Sequence, residues 1–313
     1  METTTCNLCG STSANALYQL TDLLLERDDV SAQLVKCSQC GLIYQNPRPT
    51  LAEMAQHYPP EYESYATPAR DKPSWLVRKA IEYGVAKRCR TVTRKKNGGR
   101  LLDVGCASGT FLHGMQRYPQ WALYGVEPSE HAAGIAQKAY GLNVRVGTLE
   151  AASFPDAYFD VVTLWDVLEH LHDPFNGLRE IHRILKPQGL LVLRVPNADS
   201  VDARRFGPAW AGLDAPRHLY VFATDTLTRL VDKAGFQTKE VNCQIGSYPT
   251  FALSVRFWMK TNGIPLHRRQ RISRLLYTPL ARIVSVPVFW LYNLSLRGPL
   301  MVLTAEKRST PSC

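Results

Sequence analysis

A glycine-rich segment near the middle of the chain has the pattern of a site for a nucleoside-type ligand. Residues 100–115 read RLLDVGCASGTFLHGM, in which an apolar run reaches Gly105 and Gly109 and then becomes amphipathic. This pattern predicts a strand, a tight loop and the start of a helix. Glycines let the backbone approach a ligand closely, and the first turn of a helix has N–H groups without intrahelical partners. We therefore expect a ligand at this helix start.

An acidic residue follows this loop at the spacing that a ribose requires. A second strand is predicted over 122–126, and it ends in Glu127, about 20 residues after the loop. A carboxylate at the end of this strand can accept hydrogen bonds from both hydroxyls of a ribose. The alternative is a solvated acid at a strand end.

The loop is not a dinucleotide fingerprint, which would read G-x-G-x-x-G and hold a pyrophosphate. It reads DVGCASG over 103–109 and resembles motif I of the class I S-adenosylmethionine-dependent methyltransferases, usually D/E-x-G-x-G-x-G, with Ala107 in place of the middle glycine. The resemblance implies that S-adenosylmethionine is the cofactor and that the residues after the third strand flank its adenine. The implied cofactor contacts are Asp103, Gly105, Cys106, Ala107, Gly109, Glu127, Pro128, Thr148, Leu149 and Trp165.

Strands and helices alternate around these residues. Strands separated by helices of about a dozen residues predict a parallel sheet wound on both faces. The resemblance to the methyltransferase core covers 99–246 and implies an α/β, doubly wound, Rossmann-like sheet of seven strands. The later strands are predicted at 143–147, 159–165, 190–195 and 236–241, with a displaced seventh strand at 300–304.

Two C-x-x-C-G turns predict a metal site. They span 6–10 and 37–41, and each places two thiolates on one tight turn whose glycine lets N–H groups point toward the sulfurs. Two such turns complete a tetrahedral Zn²⁺ site, as in a zinc ribbon. The 27 residues between the two pairs predict an inserted hairpin or helix, and redox pairs are the alternative to zinc. The expected zinc ligands are Cys6, Cys9, Cys37 and Cys40.

Ionisable side chains follow the fourth and fifth predicted strands, where open α/β sheets bind ligands. The sulfonium of S-adenosylmethionine already activates the methyl group, so an enzyme mainly needs to align an acceptor with the S–CH₃ bond. A histidine can act as the general base because its unperturbed pKa lies near neutrality, and a packing role is the alternative. The catalytic candidates are Asp166, His170 and His218, and the acceptor-binding candidates are Asp214, Arg217 and Tyr220.

Two segments carry further resemblances. The spacing Asp166-x-x-Glu169-His170 resembles the E-x-x-E-H segment of ubiquinone-type O-methyltransferases, which supports a divalent metal. A pocket-lining role is the alternative, because E-H-L is widespread in class I methyltransferases without a metal. The segment WAGLDAPRHLYVFATDTL, residues 210–227, is similar to one in bacterial methyltransferases that modify cell-surface glycan or lipid precursors.

The formal charge of +10 is concentrated in two segments. Residues 70–100 contain eleven Lys or Arg against two acids and predict an amphipathic, solvated linker helix, whereas 247–297 contain seven Arg and Lys260 with no acid. This segregation predicts an anionic partner. The apolar run at 283–296 is too short to span a bilayer but could lie in its interface. Nucleic acid is a less favoured partner, and core packing or a dimer contact is the ordinary alternative.

These patterns predict an enzyme that methylates a small or lipid-linked acceptor, a sugar, glycan or envelope precursor, on oxygen or carbon. The alternatives are a quinone-type phenol O-methyltransferase, an RNA methyltransferase and a non-catalytic S-adenosylmethionine-binding protein. Eight cysteines and the absence of a leader predict a cytoplasmic protein, peripheral on the inner face of the membrane if 247–297 bind lipid. The predicted domains are a zinc ribbon (1–50), a helical basic linker (51–98), the core (99–246), a basic apolar insertion (247–297) and a last strand with tail (298–313).

Overall fold

A computed structural model describes residues 1–59, 75–243 and 247–308, which form two sheets flanked by helices. The strands are β1 (Ala14–Asp22), β2 (Arg27–Cys37), β3 (Ile43–Gln45), β4 (Gly99–Val104), β5 (Trp121–Glu127), β6 (Asn143–Val146), β7 (Phe159–Trp165), β8 (Leu185–Pro196), β9 (Tyr220–Val221), β10 (Phe236–Asn242) and β11 (Leu300–Lys307). The helices are α1 (Leu51–Met54), α2 (Trp75–Thr93), α3 (Thr110–Met115), α4 (Glu130–Tyr140), α5 (Pro174–Ile184), α6 (Val201–Phe206), α7 (Thr224–Lys233), α8 (Ser247–Thr261), α9 (Leu266–Leu276) and α10 (Pro279–Leu294).

The larger sheet has seven strands in the order β10-β11-β8-β7-β4-β5-β6. Strands β4 to β8 run parallel to one another, and β11 is antiparallel to both β8 and β10. The central strands are mostly apolar and buried because both faces of the sheet are covered. The predicted Rossmann-like sheet is therefore confirmed, including the last strand, which α8 to α10 separate from β10.

Helix α2 packs on the core through its second half. Val85, Cys89 and Val92 are buried against α3, and a Cβ added to Gly114 would lie only 2.2 Å from Cγ1 of Val85. The absence of a side chain at Gly114 thus lets the two helices approach closely. The expectation of a solvated linker helix holds only for the first half, where Trp75 is exposed.

The N-terminal residues form a second sheet, β1-β2-β3-β9, whose last strand comes from the core. Strands β1 and β2 form an antiparallel hairpin. Of the two alternatives predicted for the residues between the cysteine pairs, a hairpin or a helix, the structure contains the hairpin. Ile43 pairs with Val221 and Tyr44 with Tyr220, so the N-terminal segment continues a core element. Leu42 and Tyr44 also share an apolar cluster with residues of β4, β7 and β8. The predicted boundary at residue 50 therefore separates segments that share one sheet and one cluster.

A buried ion pair joins the β1-β2 hairpin to the loop that precedes β9. Both terminal nitrogens of Arg217 donate to the carboxylate of Asp22 on β1, at 2.7 and 2.8 Å. Nε and Nη2 of Arg217 donate to Asp214, at 3.1 and 2.7 Å. The side chains of Arg217 and Asp22 are fully buried. Charge-assisted bidentate bonds of this kind fix orientation as well as contact, so the hairpin is held to the loop that precedes β9.

Replacing this guanidinium tests the attachment of the hairpin. Arg217→Met should lower the free energy of unfolding by about 3–5 kcal/mol, because two carboxylates stay buried without their cation. The matched control is Arg229→Met, since Arg229 pairs with Asp225 and both side chains are largely exposed. The control should cost less than about 1 kcal/mol. Denaturant unfolding that gives similar losses for the two variants would contradict this account.

Of the three helices between β10 and β11, α8 packs on the core and α10 is mostly exposed. Ala252, Phe257 and Met259 of α8 are buried, and Ser254 Oγ accepts the N–H of Ala211 at 3.0 Å. Most apolar side chains of α10 are exposed instead. Within the described residues no single helix is long and apolar enough to cross a membrane, although the pair Leu266–Leu276 and Leu280–Leu294, bent by 74°, passes that test together by length and composition.

Candidate functional site

The loop between β4 and α3 contains three residues with positive φ. Gly105, Ala107 and Gly109 have φ of 65°, 47° and 78°. A Cβ on Gly105 would lie 2.6 Å from Cγ2 of Val167, and one on Gly109 would lie 2.5 Å from Cδ1 of Leu142. The two glycines are therefore required by packing of the protein on itself as well as by backbone conformation.

Glu127 lies beneath this loop at the end of β5. Its Oε2 accepts the N–H of Ala107 and its Oε1 accepts the N–H of Ser129, each at 2.9 Å. The side chain is buried, and burial raises the pKa of Glu127 while these two hydrogen bonds oppose the increase. A carboxylate offers about four acceptor sites, so a fixed carboxylate with two N–H donors keeps capacity for two hydroxyls.

Asp103 lies under the loop rather than on its surface. It is buried, and the hydroxyl of Thr163 on β7 donates to its Oδ1 at 2.6 Å. Burial raises the pKa of Asp103 to about 7, although the Thr163 hydrogen bond and the charge of Arg88 act in the opposite direction. Its side chain thus links β4 to β7 and supports the loop from below.

The other predicted cofactor residues surround the carboxyl ends of β5, β6 and β7. Cys106 and Leu149 are buried, and Pro128 is exposed. Thr148 Oγ1 accepts the N–H of Ala151 at 3.3 Å. Trp165 ends β7, and its buried Nε1 has no hydrogen-bond partner in the described part of the chain. The structure therefore brings these positions to one edge of the sheet.

Arg88 contributes to this edge, and the sequence analysis missed it. Its guanidinium lies 5.7 Å from the ring centroid of Trp165 and 6.0 Å from that of Phe111. Burial, assisted by the charge of Arg194, lowers the pKa of Arg88 to about 10. The signal was available, because Arg88 lies three residues after Val85 on the face of α2 that packs on the core.

The first of the predicted catalytic residues follows β7 and lies in an ion pair. Asp166 has φ of 60°, and its carboxylate takes two hydrogen bonds from Arg194 on β8, one of them from Nε at 2.9 Å. The pairing orients Asp166 toward β8. Of the three catalytic candidates, Asp166 therefore lies in an ion pair, whereas His170 and His218 lie together.

Glu169, His170 and His218, here called the EHH cluster, meet between the core and the loop before β9. The two imidazole centroids are 4.6 Å apart, and one ligand atom from each of the three residues lies within 4.8 Å of the others. Burial, reinforced by the charge of Asp166, raises the pKa of Glu169 well above its usual range. Burial and the neighbouring His218 lower the pKa of His170 to about 3. A neutral acid and a neutral imidazole are the forms that this environment favours.

The predicted acceptor-binding residues occupy the contact with the N-terminal sheet, which corrects their expected placement. The donors of Arg217 are taken by Asp22 and Asp214, so the guanidinium does not face an acceptor. Tyr220 is buried, and its hydroxyl donates to the carbonyl of His172 at 3.1 Å and accepts from Arg48 at 3.0 Å. Arg217 thus contacts the hairpin, whereas the hydroxyl of Tyr220 contacts the segments that follow β3 and β7.

The two C-x-x-C-G turns face each other. The Sγ atoms of Cys6 and Cys40 are 3.3 Å apart, those of Cys9 and Cys37 are 3.6 Å apart, and all four lie within 4.8 Å of one another. Zn–S bonds of about 2.3 Å in a tetrahedron place the sulfurs roughly 3.8 Å apart, so the cluster fits zinc. Burial tends to raise the pKa of Cys37, but the N–H groups of Cys40 and Gln39 lower it to about 7.

Comparison with known proteins agrees with this arrangement. Residues 77–241 match a family model described as a methyltransferase domain. A protein of Mycolicibacterium smegmatis named as a probable S-adenosylmethionine-dependent methyltransferase is 28% identical over 170 residues, 53% of this chain and 60% of that protein. The ubiquinone biosynthesis O-methyltransferase of Ruegeria pomeroyi is 34% identical over 105 residues, 32% of this chain and 42% of that protein. The chain thus spans only part of the length of these relatives.

A solved structure shows the same fold. The [4+2]-cyclase SpnF has a TM-score of 0.54 and 20% identity, and the match covers 84% of this chain and 98% of that one. A cyclase on this fold illustrates that the fold alone does not fix a reaction. The family follows from the match to more than half of the chain and from the geometry of the loop and Glu127. This chain belongs to the class I S-adenosylmethionine-dependent methyltransferases.

Proposed function

We propose that this protein transfers a methyl group from S-adenosylmethionine to a sugar or lipid-linked precursor of the cell envelope, on oxygen or carbon. The observation that carries the methyl-transfer proposal is the Glu127 carboxylate, which Ala107 and Ser129 hold beneath the loop with acceptor sites to spare. Two hydroxyls of a ribose match that remaining capacity. The cofactor supplies a methyl group that its sulfonium already activates.

The remaining residues of the site serve alignment. Trp165 and Phe111 make an edge-to-face pair at a centroid distance of 5.3 Å, next to the guanidinium of Arg88. This rigid aromatic wall stands where β7 ends, which is where an acceptor has to approach the methyl group. Glu169 and His170 of the EHH cluster follow β7, and His218 joins them from the loop before β9.

The proposed acceptor class rests on different support. Residues 210–227 resemble a segment of methyltransferases that act on glycan or lipid precursors. This segment contains His218 of the EHH cluster, whose Nδ1 lies 2.9 Å from the carbonyl oxygen of Gly212. A quinone-type phenol is the second candidate, because several relatives of this chain are named ubiquinone biosynthesis O-methyltransferases. Both acceptor classes can be amphiphilic, so an experiment that distinguishes them has to separate the products chemically.

Methyl-labelled S-adenosylmethionine incubated with the protein and fractionated cell extract tests this proposal. We expect label in the glycan or lipid-linked glycan fraction, because residues 210–227 resemble a segment of methyltransferases that act on such precursors. Label in the quinone fraction would favour the second candidate. Label in RNA, or in no fraction despite cofactor binding, would refute the proposal.

Glu127→Ala tests the proposed cofactor site, with calorimetry of S-adenosylmethionine binding as the measurement. Loss of hydrogen bonds to a charged group should weaken S-adenosylmethionine binding by about 1.5–3 kcal/mol, roughly 10- to 150-fold. Glu130→Ala is the control, because Glu130 is an acid in the first turn of α4 with no ion pair in the described ranges. Calorimetry showing the same affinity for wild type and Glu127→Ala, with both folded, would place the ribose elsewhere.

We propose further that Cys6, Cys9, Cys37 and Cys40 bind one Zn²⁺. The support is the spacing of the four sulfurs and the two glycines after the turns, Gly10 and Gly41, whose φ of 79° and 78° suit the tight geometry. The ion would join the first turn to the end of β2. Since Cys6 and Cys40 belong to the apolar cluster that contains Leu102 and Val104, zinc would stabilise the core as well as the turns.

Metal analysis of purified variants tests the zinc proposal. Cys9→Ser should remove one zinc ion per chain, because it deletes a thiolate ligand while changing the most exposed of the four cysteines. Cys89→Ser, a buried cysteine outside the cluster, should leave the zinc content unchanged. Equal zinc content in wild type and Cys9→Ser after zinc-replete expression would exclude this site.

We propose as well that α9 and α10 rest on an anionic membrane surface. The apolar side chains of α10 are exposed over most of the helix, and α9 presents exposed cations beside them. Arg256, Lys260 and Arg269 pair with acids of the hairpin, but Arg268, Arg271 and Arg274 have no ion pair in the described residues. Exposed apolar groups beside unpaired cations match a bilayer with acidic headgroups. The exposed apolar side chains are Leu280, Ile283, Val284, Val286, Val288, Trp290, Leu291 and Leu294.

Vesicle flotation tests the membrane proposal. Wild-type protein should float with anionic vesicles, and replacing Ile283, Trp290 and Leu294 by Ser should release it without loss of S-adenosylmethionine binding, because these side chains are at least 60% exposed. Phe289 is buried against Tyr248 and Phe251, so Phe289→Ser should instead lower the melting temperature. Failure of the wild type to float at low salt would end this proposal.

A further inference from the structure

The carboxylate of Glu169 is fully buried, and it lacks the partners that such a group needs. Neither of its oxygens has a hydrogen-bond partner among the described residues. Its backbone is fixed, because the carbonyl of Glu169 accepts the N–H of Leu219 at 2.9 Å. A buried carboxyl without partners is costly, and native structures keep such groups chiefly where they serve a function.

Two imidazoles lie beside this carboxylate, and the contacts of His218 define its tautomer. Nδ1 of His218 lies 2.9 Å from the carbonyl oxygen of Gly212, and Nδ1 of His170 lies 3.1 Å from that of Arg217. A carbonyl can only accept, so Nδ1 of His218 carries a hydrogen, which leaves Nε2 as the ligand nitrogen of that ring. Nδ1 of His170 also lies 2.9 Å from the hydroxyl of Tyr58, so the tautomer of this ring depends on whether that hydroxyl donates or accepts. Histidines that bind metals characteristically donate their second nitrogen to a carbonyl or carboxylate in this way.

The neighbouring acid is not available to this group. Asp166 lies three residues before Glu169, but its carboxylate is held by Arg194 on β8. The set Asp166, Glu169 and His170 that the D-x-x-E-H spacing suggests is therefore not the set that the fold assembles. The residue that completes the cluster is His218, which comes from the loop before β9.

We propose that the EHH cluster binds one divalent transition-metal ion, with Glu169, His170 and His218 as its three protein ligands. Two imidazoles and one carboxylate form a ligand set that suits Zn²⁺ and neighbouring first-row ions, and three protein ligands leave a coordination position open. The three ligand atoms lie within 4.8 Å of one another, and bonds of about 2.0–2.2 Å to one centre would draw them to roughly 3.4 Å apart.

The open position would face the acceptor edge of the sheet. His170 is the most exposed of the three ligands, so it marks the side from which a small group can enter. An oxygen of the acceptor held there would be fixed relative to the end of β7. This role rests on the proposed methyl transfer, whereas metal binding itself does not.

Zinc content measured after reconstitution and gel filtration tests the proposal. Wild type should hold two zinc ions per chain, His218→Ala one, Cys9→Ser one, and the double variant none. Asp166→Asn should keep two ions, which separates this ligand set from the one that the sequence suggested. Retention of two ions by His218→Ala, or a single ion in wild type that Cys9→Ser removes, would overturn the proposal.

Two further measurements keep folding and activity apart from metal binding. Glu169→Gln preserves the shape of the side chain but removes its charge. This variant should therefore hold one ion per chain, the one bound by the four cysteines. Retention of two ions by a folded Glu169→Gln would contradict the assignment. Calorimetry with S-adenosylmethionine on the same samples reports the cofactor site, so loss of methyl transfer with the metal retained would count against the proposed function alone.

Discussion

The buried ion pair of Arg217 is the interaction on which the proposed acceptor side of this protein depends. The guanidinium holds Asp22 from the N-terminal hairpin and Asp214 from the loop before β9, and the backbone carbonyl of Arg217 lies 3.1 Å from Nδ1 of His170. The same loop carries His218, whose ring stands against that of His170. One buried cation therefore sets the position of the hairpin and of both histidines.

The cofactor side is built independently of that cation. Glu127, Asp103 and the loop over 105–109 belong to β4, β5 and their connection, and their hydrogen bonds run within the seven-stranded sheet. The two sides meet where β7 ends, at Trp165. The hairpin thus supports the proposed acceptor side, because β3 pairs with both β2 and β9 and because Asp22 of the hairpin pairs with Arg217.

Local sequence signals were sufficient for the sheet and insufficient for the acceptor side. The strands, the positive-φ loop and the position of Glu127 follow from hydrophobic periodicity and glycine spacing, which act over a few residues. Asp22 and Arg217 are separated by 195 residues, and no local pattern identifies such a pair. For that reason Arg217 and Tyr220 were expected to face an acceptor, whereas tertiary pairing buries them. Arg88 differs, because its place on the apolar face of α2 was readable from spacing alone.

Glu127 is the proposed point of cofactor recognition, and a crystal structure with bound S-adenosylhomocysteine tests this most directly. We predict that both ribose hydroxyls lie within hydrogen-bond distance of the Glu127 carboxylate, with the N–H bonds from Ala107 and Ser129 retained. The thioether sulfur should then lie on the side of Trp165. A nucleoside bound without contact to Glu127, or at another edge of the sheet, would contradict the account.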